Sequence, residues 1–459
     1  MRTASEIIVK KDYSKKEITF SFFENKELWT KLLRIAFVGL LTLAGLGEWK
    51  TLNNMLGGLP KAITAGIICL TIAYMIIFPD IKKLREIMPP TLAYMSFIAA
   101  LLLWSMVIWM MNFMNLSSMI RGSSKLIFQS MAILTAISGV YLFGSEAVNM
   151  FTLGACLANA GIMILEVPSF GVAASLQSLI TCLITFGEAD GYARNLEIHD
   201  LTFVFGQLAL YYLVFAPSET RREKKIRIMG FLASLFFFLV GMKRIAIPAV
   251  ALFAMISLIL KKRKNLKPIF VLMGICWIAF FLLYIYGVKT GAVSKILKVI
   301  GIDMMGRDYL WQMAGDYYEF SVGYMGHGFE YVDTIVGKWY SAGLINHPYP
   351  FHNDILKVFV ELGFPGFCIW SGLQYLIYPI FWMKYADEQT TLLYLAELGY
   401  MTMTYLTDNT AFYFWSTMAL RIIVMSYSVE RKKPPKKEVW KPKDKKEMRE
   451  RIRILMQEG

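Results

Sequence analysis

Three of the four histidines, His327, His347 and His352, share one stretch with Arg307, Trp311, Trp339 and many tyrosines. Histidine can take or give a proton near neutral pH, and arginine offers a planar fork of donors suited to phosphate oxygens. The pieces run in the order GRDYLWQMAGDYYEF, YMGHGFEYV and NHPYPFHNDILKVFVELGFPG. Arg307 opens an amphipathic helix bearing Tyr309, Leu310, Met313, Ala314 and Tyr317. Gly326 and Gly328 allow a tight turn on either side of His327. Pro348 and Pro350 hold the approach to His352 extended. His352, Asn353 and Asp354 then cap the next helix, which carries Glu361, Gly363 and Gly366. A zinc site is not expected, because the histidine spacing matches no standard ligand pattern. Lys243 and Arg244 interrupt the apolar stretch 226–260. A cation at membrane depth is costly unless paired or functional, so phosphate binding is the preferred reading of Arg244, with snorkelling to the headgroups as the alternative. Glu48 and Glu166 read as interfacial helix caps.

Composition sets the elements that must hold these groups. Of 459 residues, 56% are hydrophobic and 18% charged, whereas ordinary soluble domains are roughly 45–50% apolar and about 25% charged. That excludes disorder, a secreted disulfide scaffold and a set of soluble domains. It leaves an all-α polytopic membrane protein. The five cysteines fall in apolar stretches without a CxxC pair and read as buried small hydrophobes. The first apolar stretch is a full-length span with no small-residue cleavage site after it, so no cleavable signal peptide is expected.

Apolar runs of bilayer length fall near 32–48, 62–79, 91–113, 125–143, 147–166, 200–216, 226–242, 245–260, 268–287, 354–382, 390–407 and 410–428, about twelve spans. Lysine and arginine collect on the cytoplasmic side. With the N-terminal lysines inside, Lys82, Lys83, Arg85, the RREKKIR run at 221–227, the KKRK run at 261–264 and the C-terminal tail all follow. The net charge of +14 thus belongs to topology and anionic membrane lipids, and no nucleic-acid partner is expected. Residues 170–187 would break this parity as a span and are read as a re-entrant or interfacial helix. The expected organisation is a cytoplasmic N-terminal segment 1–31, a membrane domain 32–287 with nine spans, a large partly helical extracytoplasmic loop 288–353, a membrane domain 354–428 with three spans, and a basic cytoplasmic tail 429–459. Polar residues look sparse at mid-span, which concentrates the expected chemistry in the loop.

The succession of a basic residue at the outer turn of a helix pair, a GR…W helix, a GxG and then HN…ExGxxG entering a span resembles the O-antigen ligase/polymerase superfamily. These are integral-membrane, GT-C-like glycosyltransferases, and the resemblance covers roughly residues 236–370. It implies transfer of a saccharide from a polyprenyl-pyrophosphate donor to an acceptor sugar hydroxyl on the outer face of the cytoplasmic membrane, with no nucleotide sugar, cofactor or metal. By match to the family pattern, Arg244 and Arg307 would bind the donor pyrophosphate. His352 would act at the reacting centre, as base toward the acceptor or as pyrophosphate ligand. Lys243, His327, Asn353 and Glu361 would be substrate-binding or supporting positions. The expected activity is polymerisation of lipid-linked oligosaccharide repeat units for a surface polysaccharide. The alternatives are ligation of a finished glycan to another acceptor, or transport of lipid-linked sugars. A flippase and a chain-length regulator of the same pathway are expected partners.

Overall fold

In lipid a backbone must satisfy its own hydrogen bonds, and helices do so within one segment. The computed structural model describes residues 26–113, 116–185, 191–241, 243, 245–301, 304, 306–406 and 408–432. Among these, every regular element is helical. The N-terminal segment before Lys26, the tail beyond Lys432 and Arg244 lie outside the described residues.

The bundle opens with α1 (Lys26–Leu46), α2 (Lys50–Leu56), α3 (Leu59–Ile77) and α4 (Ile81–Met111). Next come α5 (Leu116–Phe143), α6 (Ala147–Phe170), α7 (Val172–Thr185) and α8 (Gly191–Asn195). α9 (His199–Leu210) continues into a π-helical turn and is followed by α10 (Arg221–Val240), α11 (Ala246–Leu260) and α12 (Lys267–Lys289). The intervening loop holds α13 (Ala292–Val299), α14 (Arg307–Ala314) and α15 (Tyr331–Ser341). α16 (Asp354–Gly372), α17 (Tyr378–Tyr385), α18 (Glu388–Tyr405) and α19 (Phe414–Arg431) complete the chain's described part.

Among the described residues, six helical stretches are long and apolar enough to cross a membrane: Glu27–Leu46, Leu59–Ile77, Ile81–Met111, Met119–Phe170, Lys267–Lys289 and Asp354–Tyr385. The Met119–Phe170 stretch has 52 residues, and at 1.5 Å per residue its length of about 78 Å is more than twice a bilayer core. It breaks at Gly144, whose φ is +59°, so it accounts for two passes. Helices at the other expected spans are shorter or less apolar, and for three of them position explains why. α9, α18 and α19 are enclosed by neighbouring helices and almost wholly buried, so most of their surface never meets lipid.

That enclosure corrects one expectation. Mid-bundle polar groups are not sparse, for Gln207, Glu397 and Arg421 are all buried. Arg421 lies 5.1 Å from the Tyr94 ring centroid, where the ring face offsets part of the cost of burying a cation. A second correction concerns α16. It is not one continuous helix, because Gly363 (φ +65°, ψ −174°) kinks it. A third concerns Glu48 and Glu166, which hold indoles instead of capping helices. Trp415 Nε1 donates to Glu48 at 3.1 Å, and Trp49 Nε1 donates to Glu166 at 2.5 Å. The α7 helix has 14 residues, about 21 Å of rise against a hydrocarbon core of about 30 Å. Its Ser178 hydroxyl accepts from Ala193 N on the returning α8.

Basic clusters gather at one end of the bundle. There Arg34 pairs with Glu146 at 2.6 Å, Arg227 Nε donates to Tyr212 O, Lys261 Nζ donates to Val214 O, and Arg431 pairs with Asp387 at 2.7 Å. Arg227 and Lys261 thereby satisfy carbonyls freed at the C-terminal end of the α9 segment, where cations are favoured. The 288–353 loop covers the opposite end.

Candidate active site

A backbone clasp fixes the loop to the bundle. His327 N and Gly328 N both donate to Glu361 O, at 3.0 and 2.7 Å, and Phe364 N donates to Tyr324 O at 2.7 Å. Backbone meets backbone here without room for side chains. A Cβ on Gly363 would lie 2.2 Å from Met325 C, and one on Gly326 would lie 2.4 Å from Gly363 N. Both glycines also have positive φ. Gly363→Ala is therefore expected to destabilise the fold by about 3 kcal/mol or more, adding conformational strain to a clash that only a backbone shift relieves. Thermal unfolding of the purified protein in detergent measures this; an unchanged midpoint would mean the clasp does not hold the loop.

Charges reinforce the clasp. Lys357 Nζ reaches Asp333 Oδ2 at 2.5 Å and Glu330 Oε1 at 3.5 Å, and Lys125 Nζ reaches the same Glu330 oxygen at 2.5 Å. Burial pushes the Asp333 carboxyl up, but Lys357 and Lys125 beside it prevail and hold it well below the usual range. Val332 N, in the first turn of α15, donates to Glu361 Oε1 at 3.1 Å. Lys357→Met would strand these carboxylates. The expected loss is about 3 kcal/mol, the low end for breaking a buried pair, because Lys125 remains and Asp333 is partly exposed. Chemical denaturation checks it, and adding Asp333→Asn to the same chain is expected to recover part of the loss.

The loop also forms a half-open cavity of about 520 Å³. Its lining includes Arg307, Tyr309, Leu344, Asn346, Tyr349 and His352. Arg307 is the first residue of α14, and among the described residues no carboxylate pairs with it. Trp311 on the same helix donates from Nε1 to Phe351 O at 3.1 Å, which ties the arginine helix to the residue preceding His352. Asn353 is the N-cap of α16, where its Oδ1 accepts from Leu356 N at 3.1 Å. Its Nδ2 donates to Tyr284 OH at 3.0 Å.

His352 has a φ of +51°, a strained conformation for a residue with a side chain. Asn409 holds it there, its Oδ1 accepting from His352 N at 2.9 Å. The imidazole Nδ1 is shut off from solvent and lies 3.5 Å from Asp408 Oδ1, close enough for electrostatic contact but without hydrogen-bond geometry. Asp408 Oδ2 is 3.3 Å from Lys243 Nζ, which also reaches Glu197 Oε1 at 2.7 Å. A carboxylate facing Nδ1 favours the tautomer protonated on that nitrogen. It leaves Nε2 with the free lone pair.

The sequence-derived candidates thus divide. Arg307 and His352 meet in the cavity. Lys243 stands behind them, paired with two carboxylates and acting on His352 only through Asp408. Asn353 lies beneath as a cap. His327 and Glu361 belong to the clasp; His327 stacks on Tyr331 at 4.0 Å, and its Nε2 is 2.8 Å from Tyr317 O. Burial pushes its imidazole below the ordinary value. Asp408 escaped sequence reasoning. Its one signal was an Asp-Asn pair in the short turn between the last two expected spans.

These features define a multi-pass helical membrane protein whose candidate chemistry lies in one cavity within the loop at an end of the bundle. Residues 229–371 match the family model described as O-Antigen ligase, which supports the resemblance to the O-antigen ligase/polymerase superfamily. The match takes in the clasp, Arg307 and His352 and stops before Asp408. No curated protein matches the chain at a significant level.

Proposed function

We propose that the chain is a polysaccharide polymerase that joins polyprenyl-pyrophosphate-linked oligosaccharide repeat units. The observation that carries this reading is the meeting, in one cavity, of an arginine with no carboxylate partner among the described residues and a histidine whose Nδ1 faces a carboxylate. In the reaction, the bond between the donor's anomeric carbon and the pyrophosphate oxygen breaks, and a bond from that carbon to the acceptor hydroxyl oxygen forms. His352 Nε2 takes the acceptor proton. Arg307 receives the charge developing on the departing pyrophosphate, aided by the N-terminus of α14. Arg244 is proposed as a second pyrophosphate ligand from its sequence pattern alone. A lipid pyrophosphate is already a good leaving group, so the step calls for fixed cations and a base, with no cofactor or metal in the scheme.

In the same reading the bundle has twelve passes and a GT-C-like architecture, and the loop faces outward from the cytoplasmic membrane. The basic end and both termini are cytoplasmic. A flippase would supply the lipid-linked units, and a chain-length regulator would act beside the polymerase. Ligation is the second reading, favoured by the description of the matched family, and it shares the same donor chemistry. Liposomes carrying the purified protein and polyprenyl-pyrophosphate repeat units separate the two. Polymerase activity gives a glycolipid ladder from the repeat units alone. A ladder that never forms, with transfer only after a lipid-core or protein acceptor is added, would replace the polymerase by a ligase.

A further inference from the structure

We propose that Tyr309 and Tyr349 form a stacking platform for the saccharide of the lipid-linked substrate; this deepens, and rests on, the reading of the Arg307–His352 cavity. Both rings line that cavity, and they remain 52% and 50% exposed. A half-exposed ring at a cavity mouth leaves one face for a ligand. Pyranose C–H groups carry the slight positive charge that the negative face of an aromatic ring attracts. The same mouth presents Asn346, whose amide both donates and accepts and so suits sugar hydroxyls.

The backbone at Tyr349 is restrained before anything binds. Pro348 and Pro350 flank Tyr349 and fix the backbone on both sides. Tyr349 N donates to His347 O at 2.8 Å, and the His347 and Tyr349 rings lie 5.2 Å apart at 57°. Tyr309 stands on the first turn of α14, two positions after Arg307. Both residues line the same cavity, so a saccharide whose pyrophosphate meets Arg307 would lie in the space that Tyr309 also borders. Anchoring in the headgroup layer is the competing role for exposed tyrosines, and it predicts contact with lipid instead of sugar.

The test uses the full chain in detergent and two probes. One is the repeat-unit oligosaccharide released from its carrier by mild acid; the other is farnesyl pyrophosphate, which has an anion and a lipid but no sugar. Tyr309→Ala and Tyr349→Ala are each expected to weaken oligosaccharide binding about tenfold, with farnesyl pyrophosphate binding unchanged. Phenylalanine at either position is expected to keep the affinity, because the ring face and not the hydroxyl makes the contact. Competition by the intact lipid-linked oligosaccharide, which is both donor and acceptor in the proposed reaction, is expected and would uphold the platform. Absent oligosaccharide binding in the native protein, unchanged oligosaccharide binding in both alanine variants, or a selective loss of farnesyl pyrophosphate binding would overturn it. The underlying reading fails separately, if Arg307→Ala leaves farnesyl pyrophosphate binding intact.

Discussion

His352→Ala is expected to slow glycosyl transfer by a hundredfold or more, within the ~10²–10⁴ typical of a lost general base. His352 is the one histidine lining the cavity, and Asp408 behind its Nδ1 leaves Nε2 available to an acceptor hydroxyl. The loss should fall on kcat, since the proton moves only as the transition state forms. Asp408→Asn tests the same arrangement from behind. An amide still fills the space but no longer opposes a developing imidazolium, so a loss of about ten- to a hundredfold in kcat is expected with little change in KM. Single-turnover kinetics with lipid-linked repeat units measures both. If Asp408→Asn changes only KM, the carboxylate is not supporting a base.

Arg307→Ala is the second large effect. Losing a hydrogen bond to a charged group typically costs about 1.5–3 kcal/mol, which corresponds to a rate about ten to over a hundredfold slower. Arg307 has no carboxylate partner among the described residues, so truncation strands no buried charge, and the loss reads directly as substrate contact. Lysine at this position keeps a charge but loses the bidentate fork, and an intermediate rate is expected. Rates of pyrophosphate release by the two variants provide the check. An alanine variant as fast as the native protein would remove Arg307 from the site.

Hydropathy made the helices legible, because a backbone in lipid has few alternatives. It found α9, α18 and α19 as well, but could not tell that neighbouring helices enclose them. α18 carries Glu397 in its interior, and no lipid-facing periodicity betrays that. The pairing of Arg307 with His352 was legible from their residue types within one loop, although their shared cavity depends on Trp311 reaching the Phe351 carbonyl. Glu361, His327 and the glycines around them formed the most recognisable motif, yet they lie together in the backbone clasp, outside the cavity lining. A motif string records which residues matter and not whether they hold the loop or touch the substrate. Asp408 was illegible for a different reason. Its partner His352 is distant in sequence, and only the folded chain brings the turn between α18 and α19 against it.

The central claim is that the cavity within the loop transfers a glycan from a lipid pyrophosphate. The most direct measurement follows free polyprenyl pyrophosphate released when the purified protein meets lipid-linked repeat units in liposomes. The account predicts release coupled to glycan growth in the native protein, and neither in His352→Ala. Units that cross the bilayer intact, with no pyrophosphate released, would contradict it and make the protein a transporter.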